Sequence, residues 1–369
     1  MEAKSELERI YRPIQKDLQT VEQRLYDLIP SDLEPISTVE RYIHDNGGKR
    51  LRSALVLLSA RAVGLPDLSP WDAPLPDHTI TFAAASELLH AATLVHDDLL
   101  DGSVLRRGHE TINSRWGHGA ALLSGDHLYL KAMELLTSEN ILDPDRSDDF
   151  RQTYQASRLM LQTAARMFKG EALQHRKRGE LSTTEEDYFH IIGNKSASFI
   201  SSCCAIGAML NDGVHPEVGK RMADYGFNLG MAFQIRDDIL DLMGDEERIG
   251  KAVGSDLREG RLTLPAIHLV ANANGNRKYL ESILSSPSSG RLSVFYRWWR
   301  HSNGNHRAFS KRQLQRVRKL LLDHGSIEYS TDTASNFADM AKSNLDAIPD
   351  SAAKQSLMTL ADHVITREN

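Results

Sequence analysis

Two stretches of the sequence repeat one phrase. Leu94-Val95-His96-Asp97-Asp98-Leu99-Leu100-Asp101 is answered by Gln234-Ile235-Arg236-Asp237-Asp238-Ile239-Leu240-Asp241, so each carries DDxxD inside an apolar run. On a helix, residues four apart share a face. Asp97 with Asp101, and Asp237 with Asp241, would each present paired carboxylates to one side. On an exposed helix end such a pair is ordinary, costing only about a few tenths of a kcal/mol. In apolar surroundings, two unscreened carboxylates roughly 5 Å apart repel by about 3 kcal/mol at an effective dielectric of about 20. A divalent cation removes that penalty. Oxygen ligands without His or Cys partners suit a hard ion such as Mg²⁺, which takes one or two carboxylates and completes its shell with water and substrate phosphate oxygens. Two facing edges of this kind can hold a diphosphate through Mg²⁺.

A diphosphate also needs cationic side chains. Arg106 and Arg107 follow Asp101 by a short turn. Gly47-Gly48-Lys49-Arg50-Leu51-Arg52 opens a helix, where the glycines permit close backbone approach and Lys49 and Arg52 lie three apart on one side. His90 precedes Asp97 by seven residues, nearly two turns, which puts it on the stripe of the metal edge. A lone basic pair, a lone Gly-Gly-Lys or one histidine in an apolar helix is ordinarily a surface or core feature. The weight lies in their combination with two aspartate motifs.

These residues must be positioned by helices. Apolar residues recur at three- and four-residue spacing from Leu7 to Leu28, Val39 to Ile43, Leu51 to Val63 and Ile80 to Leu100, and no set of strands emerges. Gly and Pro fall between these runs, at Gly47-Gly48, Pro66 to Pro76, Gly117 to Gly119 and Gly213 to Pro216. The expected fold is all-α, with one domain spanning residues 1–369. One stretch breaks the pattern: residues 285–310 are rich in Ser, Asn and Gly around Phe295-Tyr296-Arg297-Trp298-Trp299-Arg300, and no acidic residue occurs from Arg291 to Leu320. This loop-rich insertion suits either peripheral membrane contact through 291–319 or packing on its own subunit or its dimer mate.

With 41% hydrophobic and 25% charged residues, the composition is that of a globular protein, and a net charge of -6 gives no sign of a nucleic-acid partner. Cys203 and Cys204 are adjacent, a poor geometry for a relaxed disulfide. The N-terminus is polar and no apolar run reaches spanning length, so a cytoplasmic location is expected, with any membrane contact peripheral.

In combination and in order, the motifs resemble those of the trans-prenyl diphosphate synthases, or polyprenyl synthetases. The resemblance runs from about Tyr11 to the C-terminus through GGKRLR at 47–52, ELLHAATLVHDDLLDGSVLRRG at 87–108, GD at 125–126, GNKSAS at 193–198, FQIRDDILD at 233–241 and GKAVGSDLREGRLTLP at 250–265. It implies a helix bundle of the isoprenoid synthase type around a central cavity. It also implies head-to-tail condensation of isopentenyl diphosphate with an allylic diphosphate, three Mg²⁺ ions per substrate-bound site, and a homodimer. By the same resemblance, Asp97 and Asp101 are ligands of two ions and Asp237 the main ligand of the third, with Asp98, Asp238 and Asp241 in support. Lys49, Arg52, His90 and Arg107 correspond to the isopentenyl diphosphate site, and Arg106, Lys195, Ser196, Gln234, Lys251 and Arg261 to the allylic diphosphate site. Lys195 and Lys251 count with the aspartates as catalytic. Ser196 stands where Thr is common and Arg261 where Lys is common; the hydroxyl and the charge are kept, although Arg does not simply replace Lys.

Other readings share part of this pattern. A class I terpene cyclase also ionises an allylic diphosphate, but its familiar second site is an Asn/Ser/Glu-type motif. A head-to-head synthase would not need Lys49 and Arg52. A non-catalytic regulatory subunit usually loses an aspartate cluster, and both are present here. Ala92 and Thr93, one turn before the first edge, form the first possible floor for a growing chain, with Leu89 and Ser86 beyond. Short-chain members of the resembled family commonly place Phe or Tyr there, so the expected product is geranylgeranyl diphosphate or longer.

Overall fold

The computed structural model describes residues 2–29, 34–64, 73–139, 141–142, 147–211, 213–244, 253–272 and 311–367. Pro13 lacks an amide hydrogen and interrupts the first apolar run, so α1 (Glu2–Tyr11) passes through a 3₁₀ turn (Arg12–Ile14) into α2 (Gln15–Asp27). There follow α3 (Glu34–Asp45), α4 (Leu51–Val63) and α5 (Asp77–Asp101), then α6 (Ile112–Trp116), α7 (His118–Leu136), α8 (Ser147–Lys177) and α9 (Glu185–Ile192). A single π-helical turn (Gly193–Ala197) joins α9 to α10 (Ser198–Met209), and α11 (Pro216–Met243) opens with its proline in the first turn. The later helices are α12 (Ser255–Arg258), α13 (Leu264–Asn272), α14 (Lys311–Asp323), α15 (Ser326–Asn344) and α16 (Ala352–Thr366).

Among the described residues the only strands are β1 (Leu105–Arg106) and β2 (His109–Glu110), paired antiparallel with Arg106 opposite His109. Arg107 and Gly108 take φ of 52° and 80°, the double left-handed geometry of a tight two-residue hairpin loop. The hairpin is too short to leave an alternating pattern in the sequence, and its function in the fold is to set Arg106 and Arg107 on opposite sides of a turn beside Asp101.

α4 and α10 are apolar on nearly every face, as expected of helices surrounded by others. They form the centre with α5 and α11: Leu55, Leu57, Leu58, Phe82, Leu89, Phe199, Ile200 and Tyr225 are all buried in one cluster. Tyr225 also donates its hydroxyl hydrogen to the Leu357 carbonyl at 2.8 Å, tying α11 to α16. Cys203 and Cys204 are free, buried thiols in this centre. A smaller cluster of Leu242, Leu257, Ala266, Leu269, Val317 and Leu321 holds α12, α13 and α14 against the end of α11.

The aromatic part of the insertion at 285–310 and Lys251 lie outside the described residues. Of the basic stretch that continues into α14, Arg318 is turned inward: its guanidinium donates to the carbonyls of Leu242 and Gly244 at 2.6 and 2.9 Å and caps α11. That arginine serves the fold of its own subunit. Among the described residues no helix is long and apolar enough to cross a membrane.

α10 and α11 approach closely at Gly226, where an added Cβ would stand 2.7 Å from the Ile200 carbonyl oxygen and 2.8 Å from Ser201 Cα. Backbone cannot yield as a flexible side chain can, so Gly226→Ala is expected to destabilise the fold by about 1–3 kcal/mol. Differential scanning fluorimetry should show Tm lower by roughly 1–4 °C; an unchanged Tm would mean that the crossing relaxes freely.

Candidate active site

A cavity of about 740 Å³ opens between α5, α8, α10 and α11. α5 lends it Leu89, His90, Ala92, Thr93, Asp97 and Asp101; α11 lends it Phe233, Gln234, Asp237, Asp238 and Asp241. Both aspartate motifs occupy the C-terminal turns of their helices, and neither helix has a basic residue in its last turn. The partial negative charge of a helix C-terminus adds to that of the carboxylates, so the rim is strongly disposed toward cations.

The six aspartates divide by what they touch. Asp98 does not line the cavity; it receives a bidentate pair from Arg106, Nε at 2.7 Å and Nη2 at 2.8 Å. Its carboxylate is thus taken up by Arg106, where the sequence suggested support of a metal. Asp238 accepts from the Tyr188 hydroxyl at 2.6 Å and from Gln234 Nε2 at 2.9 Å, and burial pushes its carboxyl well above the usual range. Asp241 accepts from Ser255 Oγ at 2.5 Å and from the amides of Ser255 and Asp256 at 3.2 and 3.1 Å. Asp97, Asp101 and Asp237 instead meet long cationic side chains: Lys195 lies 3.5 Å from Asp97, Arg178 and Arg261 bond Asp101, and Arg367 bonds Asp237.

Their electrostatics differ accordingly. Burial raises Asp97 to about 6, reinforced by Glu171 and Asp101 and opposed by Lys195. Burial works against Asp101 too, but Arg261 and Arg178 override it and hold that carboxyl far below its ordinary value. Lys195 is raised although burial opposes its charge, because Asp97 and Glu171 more than compensate.

The π turn places the next group of residues. A π-helical turn widens the helix and re-aims the side chains within it. Here Lys195 reaches Gln174 Oε1 at 3.0 Å and pairs with Glu171, while Ser196 donates to Gln234 Oε1 at 2.8 Å. Gln234 passes the order on to Asp238, so Ser196, Gln234, Asp238 and Tyr188 form one chain of hydrogen bonds. Gly170 on α8 makes room for the turn: a Cβ there would stand 2.5 Å from the Lys195 amide nitrogen.

A second cationic group gathers where α4 begins. Arg50 takes the left-handed conformation before the helix, with φ of 52°. Lys49 thus approaches from the loop, and not from the face of a helix as its spacing to Arg52 suggests. The Tyr11 hydroxyl holds the Lys49 carbonyl at 2.9 Å, and Glu87 Oε1 accepts from the amides of Arg52 and Ser53, both at 3.1 Å. Arg52 lies with its guanidinium carbon 5.9 Å from the Phe199 ring centroid, and its buried Nε has no hydrogen-bond partner. Arg52, Arg107 and His90 line the cavity, and Lys49 is not among its lining residues. Burial and then the neighbouring arginines keep His90 well below its ordinary pKa, so it is a neutral imidazole. A concentration of positive charge of this kind favours an anion.

Sequence reasoning missed Glu87, Glu171, Gln174, Arg178, Tyr188, Phe199 and Arg367. Only Glu171 and Gln174 carried a readable signal, polar residues three apart on the inner face of α8. Among the described residues no three His, Cys, Asp or Glu side chains converge as a metal cage. The open carboxylate edges fit a hard cation whose shell is completed by water and phosphate oxygens, and their donor set is oxygen alone.

Paired carboxylate edges at the rim of an apolar cavity, with cations on both sides, define an all-helical isoprenoid synthase. Residues 34–295 match the family described as Polyprenyl synthetase. The chain is 32% identical over 347 residues to the geranylgeranyl diphosphate synthase of Saccharolobus solfataricus, covering 93% of this chain and 94% of that one. It is 32% identical over 362 residues to the octaprenyl diphosphate synthase of Escherichia coli (strain K12), covering 98% and 99%. In structure it is similar to a polyprenyl synthase from Caulobacter crescentus CB15 complexed with calcium and isoprenyl diphosphate, with a TM-score of 0.82, 29% identity and 98% of each chain covered. The chain belongs to the polyprenyl synthetase family and is a prenyltransferase.

A neutral His90 in the folded state implies a definite pH effect. Its folded pKa is below its unfolded value of about 6.5, so the unfolded chain binds the extra proton. The stabilisation is present above about pH 6.5 and is lost as pH falls below it, by at most about 1.4 kcal/mol per pH unit. His90→Gln should therefore show a smaller fall in Tm than wild type between about pH 7 and 5.5; parallel curves would place the acid-labile group elsewhere.

Proposed function

We propose that this prenyltransferase is a Mg²⁺-dependent polyprenyl diphosphate synthase that condenses isopentenyl diphosphate head to tail with an allylic diphosphate, and that its all-trans product is geranylgeranyl diphosphate or longer. One observation carries the proposal: Asp97, Asp101 and Asp237 share the rim of one apolar cavity, with a separate cationic group on each side. When bound, three Mg²⁺ ions would draw negative charge from the departing diphosphate and so favour ionisation of the allylic carbon–oxygen bond. Asp97 and Asp101 would hold two of them and Asp237 the third.

The side chains divide the remaining work. Lys195, Arg106, Arg261, Ser196, Gln234 and Lys251 bind the allylic diphosphate and stabilise the charge it gains on leaving. Lys49, Arg52 and Arg107 seat the diphosphate of isopentenyl diphosphate, with neutral His90 donating a hydrogen bond. Leu89, Ala92, Thr93, Met167 and Phe199 line the cavity, where they exclude water from the allylic cation. The proton lost at the end passes to a nearby diphosphate oxygen.

The same reading includes a homodimer and a single working unit from 1 to 369. Tyr154, Leu161 and Phe168 lie seven residues apart along α8 and are 51%, 42% and 77% exposed, and α7 exposes Leu122, Leu123, Tyr129 and Leu130; Phe168, Leu122 and Tyr129 also reach the cavity. A heptad-spaced apolar seam of this kind suits a second copy.

Asp97→Ala or Asp237→Ala is expected to lower turnover by about two orders of magnitude or more while the fold persists. Incubation with Mg²⁺, labelled isopentenyl diphosphate and each allylic primer, followed by product chromatography, measures this. Near-normal turnover in either variant would remove that cluster from the metal site. Ala92→Phe should shorten the dominant product without abolishing condensation, because the diphosphate groups are untouched; an unchanged product ladder would place the floor elsewhere.

A further inference from the structure

The segment from Gly254 to Arg261 is fastened at both ends to the aspartate edges. At its start, the Gly254 amide donates to the Asp241 carbonyl at 2.7 Å, and the Asp241 carboxylate captures the amides of Ser255 and Asp256. At its close, Arg261 sends Nη1 to Asp101 at 2.9 Å, Nε to Asp256 at 3.0 Å and Nη2 to Glu259. The strap thus spans from the far carboxylate of one DDxxD motif to the far carboxylate of the other.

A residue outside the recognised motifs completes this arrangement. Arg178, just beyond α8, bonds Asp101 from the side opposite Arg261 and stands 4.0 Å from Glu259. Its side chain is 2% exposed, and its Nε is buried with no hydrogen-bond partner. The backbone reinforces the position, since the Gly179 amide donates to the Gly260 carbonyl at 2.8 Å. Asp101, Arg178, Glu259 and Arg261 therefore form a closed ring of two carboxylates and two guanidinium groups.

We propose that Arg178 and Glu259 are positioning residues: Arg178 holds the Asp101 carboxylate when no metal is bound, and Glu259 draws both guanidinium groups away from Asp101 as a divalent cation takes it, so that Arg261 is delivered to the diphosphate. The proposal rests on the reading of Asp101 as a metal ligand. Arg178 competes with the cation for Asp101, whereas Glu259 competes with Asp101 for the arginines. The two residues must then affect metal binding in opposite senses.

The test is binding of Mn²⁺ alone to the intact, substrate-free protein, followed by the electron paramagnetic resonance signal of the free ion. Arg178→Met should tighten Mn²⁺ binding by about three- to tenfold, and Glu259→Gln should weaken it by a similar factor. Arg178→Lys, which keeps the charge but not the planar fork, should return the affinity toward wild type. In steady-state assays, Arg178→Met should lower kcat while leaving KM for isopentenyl diphosphate unchanged. Weaker Mn²⁺ binding in Arg178→Met, or no change in both Arg178→Met and Glu259→Gln, overturns the proposal. Should Arg178→Met fail to fold, Glu259→Gln decides: weakened binding supports the ring, and unchanged or tighter binding overturns it. A wild-type protein without metal-dependent condensation would instead sink the underlying catalytic reading, whatever the variants do.

Discussion

The structure turns on the crowding of negative charge at two helix ends inside an apolar bundle. Helix C-termini already carry partial negative charge, and α5 and α11 add carboxylates there with no basic residue in the last turn. Burial without compensation would make these carboxylates very costly. Compensation comes from remote parts of the chain: Lys195 from the π turn, Arg178 from the end of α8, Arg261 from the strap and Arg367 from beyond α16. Much of the long-range organisation serves to bring those cations to the rim.

Irregular backbone appears where regular helices could not deliver a side chain. Among the described residues the two non-glycine residues with positive φ are Arg50 and Arg107, both members of or next to the cationic group at the start of α4. Such conformations persist only where surrounding structure enforces them. Glu22 does so for Arg50, through contacts at 2.6 and 3.0 Å. The π turn is a third case, enforced by its close fit against Gly170.

Most of the fold was legible because periodicity reports which faces are buried: the runs from Leu51 to Val63 and Ile80 to Leu100 lie within α4 and α5. The break at Pro13 and the short hairpin were not, since three- and two-residue elements leave no period. The aspartates and their division into edges were visible in the DDxxD spacing. Their partners were harder to find. Arg178 sits in His175-Arg176-Lys177-Arg178, which reads as solvated basic surface, and only the tertiary fold selects the one that is buried. Arg367 bonds Asp237 across 130 positions of sequence, a separation that no local pattern can report.

That last contact bears on how the protein is made. A ribosome adding about 5–20 residues per second emits Arg367 on the order of ten seconds after Asp237. Until then Asp237 lacks the guanidinium that pairs with it in the folded protein. The second aspartate edge is thus completed only when nearly the whole of this sequence has been made.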